Sequence, residues 1–128
     1  MSIHGLSFSG AETVSQWFGS WPDFHDAEII SLNLSRLGPS VLRVYPYSPD
    51  KPATVEFCLS EITDLELADF SPQNVMSSLS IEQVNNEGGE VVFRLTMYPC
   101  FGLSGHIDAK QLSVNLIPGK SSDGGSLW

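Results

Sequence analysis

Between Ile30 and Ile117 the apolar residues return at every second position in short runs, and each run is stopped by Gly, Pro, Asn or Asp. A period of two is the signature of a half-buried β-strand, and it fixes which residues share a face. Ile30, Leu32 and Leu34 alternate with Ser31, Asn33 and Ser35, and Gly38-Pro39 supplies a turn. Val41 to Tyr47 follows with Leu42 and Val44 on one face, until Pro46 and Pro49 end pairing. A third strand is expected from Thr54 to Leu59, with Val55, Phe57 and Leu59 pointing one way; Leu65 and Leu67 resume the alternation beyond a bulge near Ser60-Glu61. After the break at Ser71-Pro72, Leu79 and Ile81 mark a fourth strand, and Asn85-Asn86-Glu87-Gly88-Gly89 has hairpin chemistry. Val91, Phe93, Leu95 and Met97 form a fifth. Pro99 to Gly105 turns the chain into a last strand, Ile107 to Ile117, carrying Leu112, Val114 and Leu116 on one face.

Strands and helices do not alternate, which excludes a doubly wound parallel sheet. The expectation is a mostly β fold (α+β at the margin), a curved antiparallel sheet of about six strands with one short N-terminal helix. That helix is placed at Ala11 to Phe18. Ser9-Gly10-Ala11-Glu12 has the form of a capping box, Gly19 is a natural stop, and Trp17 and Phe18 are expected to lie on the sheet. At 128 residues the chain is one domain, taken as 1–118, with a Gly/Ser-rich tail at 119–128.

Fifteen acidic side chains oppose six basic ones, a formal charge of −9. A chain so short of Lys and Arg cannot displace counterions along nucleic acid, and an anionic membrane surface repels it. A basic protein partner is attracted, although acidity also simply keeps a protein soluble. The start of the sequence lacks a signal-peptide pattern and no run has the length of a membrane helix, so the chain reads as cytoplasmic. Cys58 and Cys100 have no CxxC or metal spacing and read as small core hydrophobes, their pairing left open.

The densest chemistry is Trp21-Pro22-Asp23-Phe24-His25-Asp26-Ala27-Glu28. Imidazole beside carboxylate suggests a metal or small-ligand site centred on Phe24-His25-Asp26. On extended chain, however, His25 and Asp26 point to opposite faces, and neither His4 nor His106 has a ligand at close spacing. The structural reading is a knot: Trp21 and Phe24 plug the seam between helix and sheet, Pro22 fixes the turn, and Asp23 or Asp26 accepts backbone N–H bonds. No catalytic site or cofactor is expected. There is no GxSxG, the Gly pairs lack the Lys-Ser/Thr of a phosphate loop, and Cys100 near His106 in sequence does not establish a Cys–His pair. From Glu56 to Asp69 the chain carries Glu56, Glu61, Asp64, Glu66 and Asp69 with no basic residue. Alternation points Glu56 and Glu66 to solvent, as a docking stripe for a basic partner or as an ordinary solvated face.

Three segments together resemble a known family. Trp21-Pro22-Asp23-Phe24-His25-Asp26-Ala27-Glu28-Ile29 resembles the W-P-x-F-H-D-A-E signature of the immunity protein 50-like family of bacterial polymorphic toxin systems. Leu65-Glu66-Leu67-Ala68-Asp69-Phe70-Ser71-Pro72-Gln73-Asn74-Val75 is similar to its L-x-L-x-x-F-x-x-Q-N-V stretch, and Phe101-Gly102-Leu103-Ser104-Gly105-His106-Ile107-Asp108-Ala109 to its F-G-L-x-G-x-I-x-A stretch. The resemblance implies a mostly β, cytoplasmic antitoxin that neutralises a cognate toxin by binding it, with Gln73 and Asn74 joining the Trp21–Glu28 residues as structural positions. It implies no catalytic residues. A homodimer paired through an exposed sheet edge stands beside the monomer.

Overall fold

The computed structural model describes residues 8–120; His4, Gly124-Gly125 and most of the expected tail lie outside the described residues. It is mostly β: a helix α1 (Ala11–Phe18) precedes six strands, β1 (Glu28–Asn33), β2 (Ser40–Tyr45), β3 (Ala53–Ala68), β4 (Val75–Asn85), β5 (Val91–Phe101) and β6 (Ser104–Pro118). All pairings between strands are antiparallel, and the order β1-β2-β3-β6-β5-β4 closes on itself as a barrel.

β3 and β6 are the long strands, and each belongs to two halves of the barrel. Val55 to Leu59 of β3 pairs with β2, which pairs with β1. Beyond a bend, β3 continues along the start of β6, whose Gly105 to Ala109 pair with Met97 to Phe93 of β5, and β5 pairs with β4. The bulge expected near Ser60-Glu61 lies at this bend. Glu61 adopts φ 58°, and the register slips between Ile62 and Asp64 so that Thr63 has no opposite number. One such extra residue bends and twists a strand. At Glu61 the inward row steps from Leu59 to Ile62, mirrored by Leu112 to Ala109 on β6, and the extra Thr63 then carries the row on to Leu67.

Several sequence expectations are corrected. In β1 the register slips between Ile29 and Ser31, so Ile30 is the extra residue. Ile29 and Leu32 face the core, whereas Leu34 is exposed beyond the strand end. A one-residue slip moves every later side chain to the other face, which is why the Ile30-Leu32-Leu34 row fails. The capping box also fails. Gly10 is the N-cap at φ 91°, no side chain caps the helix, and Glu12 bonds Gln16 instead. Ser9 is drawn into the sheet, its carbonyl accepting from Val114 N–H at 2.9 Å. A Cβ at residue 10 would strike the Val114 carbonyl oxygen, so only Gly fits this close approach. Gly19 ends the helix at φ 88° as expected. Val14 and Phe18 pack on the core, while Trp17 turns to Lys51, bonding its carbonyl and lying under its ammonium.

The core fills the barrel with Leu42, Phe57, Leu59, Met76, Ile81, Leu95, Met97 and Ile107. Both cysteines are free, and neither is a core hydrophobe. Cys58 lies half-buried on the outer face between inward Phe57 and Leu59, and Cys100 is exposed. Burial, with Glu56 nearby, raises the Cys58 thiol above its ordinary pKa.

Candidate docking face

The Trp21–Glu28 segment closes the barrel. Asp26 N–H donates to the Met76 carbonyl, Met76 N–H to Ala27, and Ile29 N–H to Asn74, which ties the entry of β1 to the entry of β4. Two left-handed residues, Phe24 at φ 61° and Asp26 at φ 64°, turn the chain to make this possible. Non-Gly residues occupy that region only when their surroundings hold them there. Phe24 is buried among Trp21 and Phe57, with ring centroids 5.7 Å from each. Asp23 accepts His25 N–H at 2.9 Å, as an Asx turn does.

Because the chain is turned rather than extended here, His25 and Asp26 do not diverge. Nδ1 and Oδ2 are 3.3 Å apart, with both side chains more than half exposed. That corrects the opposite-face argument. Among the described residues no third His, Cys, Asp or Glu joins them. Asn74 is the second lock. Its Oδ1 accepts from Leu103 N–H at 2.7 Å and Ser71 N–H at 3.0 Å, and its Nδ2 donates to the Ser71 carbonyl. Gln73 is exposed and lends its carbonyl to Ser71 Oγ. Pro22 is half-buried beside Trp21.

The same knot holds unpaired polar atoms. Trp21 Nε1 and Glu28 Oε1 are buried without a hydrogen-bond partner among the described residues. Glu28 lies in register between Tyr45 and Val75 at 5% exposure, and desolvation raises its carboxyl above the ordinary range.

The acidic stretch is less uniform than its sequence. Glu56 is held by Arg43 at 2.6 Å and is half-buried. The bend then resets the phase, and the carboxylates beyond it share the outer face of the distal half. Register aligns two rows across that face, Glu82-Arg94-Asp108-Asp64 and Ser80-Thr96-His106-Glu66. Arg94 forks onto Asp108, Nε to Oδ1 at 2.8 Å and Nη2 to Oδ2 at 2.9 Å. The hydrogen bond to Asp108 raises the Arg94 guanidinium further above neutrality. His106 Nε2 lies 3.0 Å from Asp64 Oδ2 and holds the Asp64 carboxyl below the usual range.

Asp64, His106 and Asp108 offer ligand atoms within 4.8 Å of one another, beside a cleft of about 420 Å³ under the β4–β5 hairpin. Both Asp108 oxygens already serve Arg94, so the group is built as an ion-pair network around a buried carboxylate. Glu61, Glu66, Asp69 and Glu82 are exposed and make no ion pair among the described residues. Sequence reasoning missed Glu82, Arg94, His106 and Asp108, because only the cross-strand register brings them to the acidic stretch.

No helix of the described residues is long and apolar enough to cross a membrane. No family model matches the sequence, and neither a curated protein nor a solved structure is similar to it.

Proposed function

We propose that this chain is a binding protein rather than an enzyme: a cytoplasmic immunity protein of a bacterial polymorphic toxin system, which occludes a basic cognate toxin. The observation that carries the reading is the imbalance of charge on the distal half. Glu61, Glu66, Asp69 and Glu82 stand exposed there without an ion-pair partner among the described residues, while the nearby Arg94 is committed to Asp108. Such a field steers a cationic surface toward it and raises the association rate. The resemblance of the Trp21–Ile29, Leu65–Val75 and Phe101–Ala109 segments to the immunity protein 50-like family supplies the biological setting.

The test is co-expression with the product of the adjacent gene. A stable complex on size exclusion and restored growth are expected, with an association rate that falls as salt shortens the screening length below about 8 Å. Absence of both complex and rescue would reject the reading.

A further inference from the structure

We infer that the unpaired edge of β3 from Ile62 to Ala68 receives an extended, Lys- or Arg-bearing segment of the partner as an added strand; the inference rests on the docking reading above. β2 stops opposite Leu59, so among the described residues the remainder of β3 has β6 as its sole strand neighbour. A strand paired on one side turns alternate N–H and C=O groups outward, a ready template for another chain. The tip of the β1–β2 hairpin stands across from this edge without a backbone hydrogen bond to it among the described residues. Between them lie two hollows of about 440 and 290 Å³ that share Leu34. Leu32, Leu34, Ile62, Leu65, Leu67 and Leu103 line them. Phe70, at 74% exposure, also borders the second hollow.

Charge selects the occupant. Glu61 and Asp69, both with positive φ, bracket the free edge, and Glu66 projects from its outer face; Arg36, on the hairpin lip, is the cation bordering the first hollow. A second copy pairing edge to edge would set Asp64 and Glu66 against the same acids, and like charges opposed across strands repel. A basic strand instead places alternate apolar side chains in the hollows and its cations against Glu66 and the rim. This is β-augmentation, with backbone bonds giving affinity and alternate pockets giving selectivity.

The test uses the full chain with two synthetic peptides, one alternating Lys with Val and one alternating Lys with Phe, each also made with alternate backbone nitrogens methylated. Hydrogen exchange and titration calorimetry are read together. The expected result is at least tenfold slower exchange of amides between residues 62 and 68 with an unmethylated peptide, at least tenfold weaker binding after methylation, and loss of binding in Leu34→Asp, an exposed change outside the strands. Equal binding of methylated and unmethylated peptides with residues 62–68 unprotected overturns the added strand while leaving acidic docking intact. No binding by any of the peptides overturns both. Protection of the same amides by protein concentration alone, without peptide, overturns the occupant in favour of a second copy.

Discussion

The two ends of β3 pose opposite physical problems. Its first half lies between β2 and β6, over an aromatic knot in which Trp21 meets Phe24 and Phe57 edge to face. Its second half has β6 alone, and the side chains about it are carboxylates and exposed apolar groups. The difference teaches where stability is kept, and which half is left free for the docking we propose. The closed half holds the fold through packing and satisfied backbone bonds, with Asn74 fastening one turn to another. Apart from the Arg94–Asp108 pair, the open half carries its charge on exposed groups whose removal the fold barely registers.

The largest effect belongs to the knot. Phe24→Ala removes a side chain at 1% exposure that contacts two other rings. A loss of about 3–5 kcal/mol in denaturant unfolding is expected, as for other large-to-small core changes. A loss below about 1 kcal/mol would show that the closed half is not where stability resides. Arg94→Ala comes next and sharpens the contrast from inside the open half. It strands Asp108, whose side chain is 4% exposed, without its ion-pair partner. Since Arg94 itself is over a third exposed and partly screened, about 2 kcal/mol is expected instead of the full penalty for a broken buried pair.

Glu28 gives a smaller effect with a definite pH sign. Its folded carboxyl is raised by desolvation, so the native state favours the protonated form. This group's contribution is present below the unfolded value of about 4.3 and is lost as pH rises through the folded one. Glu28→Gln should therefore raise the melting temperature at pH 7, and the gain should disappear toward pH 4; an equal gain at both would assign the effect to something other than ionisation. Smallest of all, Glu66→Gln with Asp69→Asn alters exposed groups that themselves make no ion pair among the described residues. Stability should stay within about 0.5 kcal/mol. Stopped-flow association with a basic partner should slow several-fold at low salt, and an unchanged rate would remove these acids from the docking face.

Alternation made the strands legible because strand faces follow from period two alone. Phe57, Leu95, Val114 and their neighbours fell inward as the pattern required. A break in alternation marks the bulge near Ser60-Glu61, but it does not show which residue is the extra one. Ile30 and Thr63 are both bulge residues in ordinary apolar or β-branched sequence, and each reset the faces after it. The knot was legible as a knot from its residues, whereas its partner Asn74 entered only through the family resemblance. The bonds from Asp26, Ala27 and Ile29 to Asn74 and Met76 join segments far apart in the chain, and backbone groups leave no trace in side-chain pattern. The Asp64–His106–Asp108–Arg94 group was hidden for the same reason, since each member looks like an ordinary outward residue until the register sets them side by side.

The barrel seam has a consequence for how the molecule comes together. The β1–β2, β2–β3, β4–β5 and β5–β6 pairings join neighbours in sequence, whereas the β3–β6 and β1–β4 pairings close the barrel across long stretches of chain. Closing long loops before their contacts are rewarded slows folding, and β-rich domains of this kind take milliseconds to seconds. Throughout that interval β1 and β4 expose the edges that the seam later joins, at a stage when any other chain is an equally good partner. A net charge of −9 makes that partner a poor one if it is another copy of itself. The acidity we propose to meet a cationic partner thus has a second effect, which is to keep unfinished copies of the chain apart.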